Sequence, residues 1–262
     1  MNYHFCAKSD PGRARQNNED SVVFDEGTAM VVLADGMGGY NAGEIASGMA
    51  TAFIKSELSR WLLEAGRDAL LREVRRAMEI CASNANLSIF NAATNNTQYA
   101  GMGTTLVMGV FRSDKLLVGH IGDSRCYRWR AGVLEQITKD HSLLQEQIDA
   151  GLISQEQAVN SPIKNLVTRA LGVEEAVELE VNEHTVEVGD VYLLCSDGLS
   201  DMVDDPAIAR IIASGAGLEK VASELVDAAN TNGGRDNISV ILAQALGRVE
   251  KRGLIARLLG KS

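Results

Sequence analysis

The segment TTLVMGVFRSDKLLVGHIGDSRCYRWRAGVLEQI, residues 104–137, sets four apolar, β-prone runs almost end to end. Thr104–Phe111, Lys115–Ile121, Arg125–Arg130 and Val133–Ile137 are separated by turns at Ser113-Asp114, Gly122-Asp123 and Ala131-Gly132. Parallel neighbours need a crossover of about a dozen residues, so links this short predict antiparallel pairing. Upstream, Tyr3–Lys8, Ser21–Asp25 and Ala29–Ala34 read as three more strands. From Glu44 the period changes. Ala46, Met49, Ala50, Phe53, Ile54, Leu58, Trp61 and Leu62 recur at three and four, which predicts one apolar helical face. A second helix follows Gly66 along Leu70, Val74, Ala77, Cys81 and Ala85, and Asn91–Asn96 reads as the polar loop that closes it.

Downstream, Leu143–Thr168 turns polar, with a break at Ser161-Pro162; its length between strand groups predicts a functional flap. Strands resume at Val177–Val186 and Asp190–Cys195, two helices follow, and Ile238–Ala243 is the final strand. The second of those helices runs along Leu218, Val221, Ala222, Leu225, Val226 and Ala229. Strands in groups with helices grouped between them indicate an α+β fold, two antiparallel sheets with helical hairpins outside. One domain over residues 1–246 and a tail at 247–262 is the simplest division.

The net charge of −10 argues against nucleic acid, whose backbone demands a basic face. The tail runs the other way, with five basic residues and one acidic residue. No apolar run is long enough to span a membrane, and residues 1–12 lack the pattern of a secretory signal. Cys6, Cys81, Cys126 and Cys195 are scattered and form no Cys-x-x-Cys pair. That usage fits a reducing, cytoplasmic setting.

Three aspartates stand at strand ends beside a turn-former: Asp35 in AMVVLADGMGG, Asp197 in VYLLCSDGL and Asp236 in GGRDNISVIL. Lone buried carboxylates carry a large desolvation cost, so three at strand mouths suggest a shared cation. Oxygen-only ligation selects Mg²⁺ or Mn²⁺. Three carboxylates suffice for two ions, an arrangement suited to in-line displacement. Gly36, lacking a side chain, lets its carbonyl approach such an ion. Arg15 heads the run RQNNED, and its planar fork matches phosphate oxygens, while Glu19-Asp20 could hold metal-bound waters. Asp123 sits at a strand corner, and His141 is a candidate either for proton transfer or for capping the helix that starts near Ser142.

Rival chemistries fail on spacing. Six residues after the four cysteines stand Gly12, Leu87, Gly132 and Asp201, never the Arg of a cysteine phosphatase. No two aspartates are spaced i and i+2, as aspartyl-phosphate enzymes require. Gly260-Lys261-Ser262 has Ile255 where a phosphate-binding loop needs its first Gly, and no H-E-x-x-H occurs.

Together these segments resemble the metal-dependent protein phosphatases (the PPM family, type 2C) in their compact bacterial form. The matching blocks are RQNNED at 15–20, VLADGMGG at 32–39, GMGTT at 101–105 and VGHIGDSR at 118–125. KDHS at 139–142, NLVTRALG at 165–172, LCSDGL at 194–199 and GGRDNISV at 233–240 continue the order. The resemblance covers about residues 5–245. It implies a four-layer α-β-β-α sandwich, with metals in a cleft at one end. It also implies hydrolysis of phosphoserine and phosphothreonine in proteins by metal-activated water, using two Mn²⁺ or Mg²⁺ ions and a third, weaker one. On this resemblance Asp35 bridges both metals, Gly36 lends a carbonyl to one, and Asp197 and Asp236 hold the other. Asp20 acts through metal-bound waters, Arg15 clamps the phosphate, and Asp123 with Asp197 forms the third site. Met37 replaces the His of eukaryotic members and cannot donate a proton. The implied partners of this monomer are phosphorylated proteins and an opposing Ser/Thr kinase. A catalytically silent phosphoprotein-binding member is the alternative, and a two-metal nuclease conflicts with the acidic charge.

Overall fold

Alternation is missing from the central strands because both of their faces are covered. The computed structural model describes residues 1–39, 42–154, 157 and 166–247. One sheet runs in the order β1 (Asn2–Asp10), β11 (Ile238–Leu246), β10 (Val191–Cys195), β7 (Arg125–Arg130) and β8 (Val133–Gln136). The other runs β2 (Asp20–Asp25), β3 (Met30–Met37), β5 (Leu106–Arg112), β6 (Lys115–Ile121) and β9 (Glu180–Thr185), with β4 (Gly103–Thr104) paired to β3. Every pairing is antiparallel.

Met30 to Ala34 are all fully buried, and they divide between two layers. Val31 and Leu33 point between the sheets with Val107, Tyr192, Leu194 and Ile241. Met30, Val32 and Ala34 point outward against helices α1 (Ala42–Ala65) and α2 (Leu71–Asn95). On the far side, Leu193, Val240 and Leu242 meet three further helices, α4 (Asp197–Ser200), α5 (Asp205–Ile212) and α6 (Leu218–Thr231). The result is the α-β-β-α sandwich, with α3 (Leu143–Asp149) lying after β8. Three cores, one between each pair of layers, account for the continuous apolar runs.

Several local readings differ from the structure. Asn91–Asn95 continues α2, because Thr94 Oγ1 donates to the Phe90 carbonyl and Asn95 Nδ2 to that of Asn91, partnering the polar side chains within the helix. Asn96 then caps a 3₁₀ turn at Thr97–Tyr99. Leu70 precedes α2 and is exposed rather than part of its apolar side. The run from Thr104 splits into β4 and β5, since the Thr105 amide leaves the ladder to donate to the Asp35 carbonyl. Three helices follow β10, not two, the extra one being the single turn that begins at Asp197. Of the flap proposed over 143–168, residues 155, 156 and 158–165 lie outside the described residues, as do 248–262 of the tail. No described helix is long and apolar enough to cross a membrane.

An aromatic cluster closes the space between the sheets at one end. Phe111 packs against Tyr3, Phe5 and Tyr192 with ring centroids 4.4, 5.8 and 5.5 Å away. Phe111→Ala should destabilise the fold by about 3–5 kcal/mol, since the cavity lies between two rigid sheets that cannot collapse onto it. Urea unfolding measures this; a loss below about 1 kcal/mol would contradict the packing described.

Candidate active site

Asp20 and Asp35 are register partners on β2 and β3, so their side chains rise from the same face. Asp197 follows β10, Asp236 precedes β11, and Asp123 sits in the β6–β7 turn. The two sheets thus deliver five aspartates to one end of the sandwich. Burial, then repulsion from Asp20, Asp197, Asp123 and Asp236, holds the Asp35 carboxyl well above the usual range. Asp197 is raised likewise by burial, then by Asp123, Asp201, Asp236 and Asp20. Burial pushes Asp20 to about 6, against the hydroxyls of Ser239 and Ser196, which favour its charged form. Asp123 also rises to about 6, through burial and then Asp140.

Both Asp-Gly pairs are explained by close backbone approach. A Cβ on Gly36 would lie 2.1 Å from the Gly43 carbonyl oxygen and 2.6 Å from that of Glu19. One on Gly198 would lie 1.9 Å from the Asn237 carbonyl oxygen. Neither position needs a left-handed backbone. The glycines therefore let strand ends press against neighbouring segments, which draws Asp35 toward the start of α1 and Asp197 toward Asp236.

Arg15 lies on this site, but its fork is engaged: Nη2 donates to Asp236 Oδ2 at 2.8 Å. That hydrogen bond, first, and the charge of Asp236 raise the guanidinium pKa. Two roles read separately in the sequence thus meet in one pair. Met37 pairs with Gly103 at the end of β3, half-buried.

His141 is not the helix cap. The helix cap is Ser142, whose Oγ accepts from the Gln145 amide at 3.2 Å. His141 Nδ1 accepts from the Gly122 amide and Nε2 faces Glu180 Oε2, each at 3.2 Å. Burial first lowers its pKa. Its ring stacks on His120, with centroids 4.6 Å apart and planes 16° from parallel. Among the described residues, His120, His141 and Glu180 alone offer three ligand atoms within 4.8 Å of one another. Stacked imidazoles direct their in-plane lone pairs side by side rather than at one point, so this triad pins the turn before Asp123 instead of caging an ion.

The sequence reading missed the residues that hold the aspartates in place. Ser196 Oγ donates to Asp20 Oδ2 at 2.7 Å. Asn237 Oδ1 accepts from the Glu19 amide at 2.8 Å, while its Nδ2 donates to the Pro11 and Asn17 carbonyls at 3.0 and 2.9 Å. Thr105 Oγ1 accepts from the Asp35 amide at 3.0 Å and pairs with Ser124 Oγ at 2.7 Å. Arg125 forks onto Asp140. Each has an ordinary turn or strand residue type; Ser196, Asn237 and Arg125 lie within two residues of an aspartate, whereas Thr105 lacks even that signal.

The donor set is oxygen-only, and the buried Asp20 Oδ1 has no hydrogen-bond partner. Mutually raised carboxylates and an orphaned oxygen fit a hard divalent cation, which would replace the protons these groups retain. A double-sheet fold that gathers five carboxylates at its strand ends defines a divalent-cation-dependent class of protein. The profile described as "Protein phosphatase 2C" matches residues 12–243. A serine/threonine phosphatase of Listeria monocytogenes is 38% identical over 92% of this chain and 95% of its own length. The crystal structure of the Mycobacterium tuberculosis serine/threonine phosphatase PstP/Ppp superimposes with a TM-score of 0.84 at 38% identity, covering 94% of this chain and all of that one. The catalytic domain of PstP in complex with two manganese ions gives 0.80 at 37% identity, covering 94% and 99%. The chain belongs to the protein phosphatase 2C family and is a metal-dependent protein phosphatase.

The raised carboxylates give a signed pH dependence. Between 3.8 and about 6 the folded metal-free chain keeps protons on Asp20 and Asp123 that the unfolded chain has released. These two groups therefore lower stability as pH rises through that window. Mn²⁺ takes the place of the protons. The melting temperature of chelated protein should fall relative to the Mn²⁺-loaded protein across this window, and a constant difference between the two would contradict the assignment.

Proposed function

We propose that this chain hydrolyses phosphoserine and phosphothreonine in proteins at the acidic cleft, with two Mn²⁺ or Mg²⁺ ions held by Asp35, Gly36, Asp197 and Asp236. The convergence of five aspartates from two sheets around Asp35 is the observation that supports this most directly. The chain is a metal-dependent serine/threonine protein phosphatase. When bound, the ions supply an activated water and offset the charge of the phosphoryl group.

The protein's own residues then divide the work. Asp35, which feels the charges of Asp20, Asp197, Asp123 and Asp236, would serve both ions, and the Gly36 carbonyl would hold one of them. Asp197 and Asp236 would hold the second ion, and Asp123 with Asp197 would offer a third, weaker position. Asp20 orients water in the cleft from a carboxylate already fixed by Ser196. With Asp236 holding a cation, the Arg15 fork would be released to receive the phosphate. Met37 has no proton to give, so water would supply the proton that turns the departing seryl or threonyl oxygen into a hydroxyl. The counterpart of this activity is a Ser/Thr kinase. The enzyme works as a monomeric domain over residues 1–246, in the cytoplasm, which its four free cysteines support.

Arg15 separates this reading from a merely solvated turn. Arg15→Ala should raise KM and lower kcat/KM on a phosphothreonine peptide about tenfold, about 1.4 kcal/mol, with Lys restoring only part. Because Arg15 competes for Asp236, its removal should leave Mn²⁺ affinity equal or tighter. Asp35→Ala should instead lose most turnover together with metal binding. Unaltered kinetics in the Arg15→Ala enzyme would remove Arg15 from the site.

A further inference from the structure

We infer that the chain carries a second anion site, one that accepts a compact phosphate group, at the end of the sandwich opposite the metal cleft. Arg112 ends β5, whose antiparallel neighbour β3 carries Asp35 at its other end. It lines a cleft of about 590 Å³ together with Tyr3, Glu26, Thr28, Arg67 and Asp68. Although charged, Arg112 is only 9% exposed. Its Nη1 donates to the Thr28 and Phe111 carbonyls at 2.9 and 3.4 Å, and its buried Nε meets no acceptor.

Among the described residues no carboxylate forms an ion pair with Arg112. The charge that acts on it is Arg67, of the same sign, from the link between α1 and α2. Burying a cation beside another cation is strongly unfavourable unless an anion joins them. Two guanidinium groups around one cleft present the forked donors that suit a phosphate group. Glu26 and Asp68 are exposed, and neither pairs with Arg67 or Arg112 among the described residues. Their charge at the cleft disfavours extended polyanions and restricts the ligand to free phosphate or a small phosphate ester. This site is independent of the proposed catalytic roles.

Calorimetric titration of inorganic phosphate into the Mg²⁺-loaded protein tests the inference. Two binding events are expected, one at each end of the molecule. Arg67→Ala and Arg112→Met should each weaken one event by about tenfold or more, with hydrolysis of a phosphothreonine peptide unchanged in phosphate-free buffer. Arg15→Ala should weaken the other event alone. Should Arg112→Met fail to fold, the exposed Arg67→Ala still decides the matter. A sugar phosphate that binds more tightly than free phosphate at the Arg67-dependent event would identify an ester as the ligand, and weaker binding the free ion. A single event in the unmodified protein, or two events insensitive to Arg67→Ala, would overturn the proposal.

Discussion

Like charges gathered at the mouth of a double sheet govern this molecule. Asp20 and Asp35 are register partners, a relation that sets Cβ atoms about 5 Å apart. Two unit charges at about that distance repel by about 3 kcal/mol at an effective dielectric of about 20. Asp123, Asp197 and Asp236 add to the same field. Burial first, and then this repulsion, holds Asp35 and Asp197 well above the usual carboxylate range, so the metal-free chain retains protons there. Divalent cations would offset both the burial cost and the repulsion, so a site that costs stability without metal gains it on binding them.

Holding such a cluster together requires neutral parts placed with little tolerance. Gly36 and Gly198 remove the side chains that would hold the segments apart. Asn237 fastens the chain around Pro11, Asn17 and Glu19 to the start of β11, so the loop bearing Arg15 lies over Asp236. Ser196 and Thr105 do the same for Asp20 and Asp35 from opposite sheets. The three apolar cores supply the rigidity against which these hydrogen bonds act.

Much of this architecture is visible in the sequence because its signals are local. Turns as short as Ser113-Asp114 admit only antiparallel pairing, and the three-and-four spacing from Ala46 to Leu62 admits only a helix. The aspartates at strand ends are legible for the same reason. Other features depend on contacts between distant segments, to which residue type gives no guide. Asn95 belongs to α2 because its side chain finds the Asn91 carbonyl, although a run of asparagines reads as a loop. Gly36 suggested a carbonyl open to an ion, whereas its backbone neighbour Gly43 gives a packing reason for the same residue. The Arg15–Asp236 pair spans almost the whole chain, and no spacing rule could have joined them.

Calorimetric titration of Mn²⁺ into chelator-treated protein tests most directly the claim that Asp35 sits between two cations and relieves the repulsion of its neighbours. The account predicts two tightly bound ions, both lost in Asp35→Asn, while Asp236→Asn loses one. Retention of both ions by Asp35→Asn, or a single ion in the unmodified protein, would contradict it.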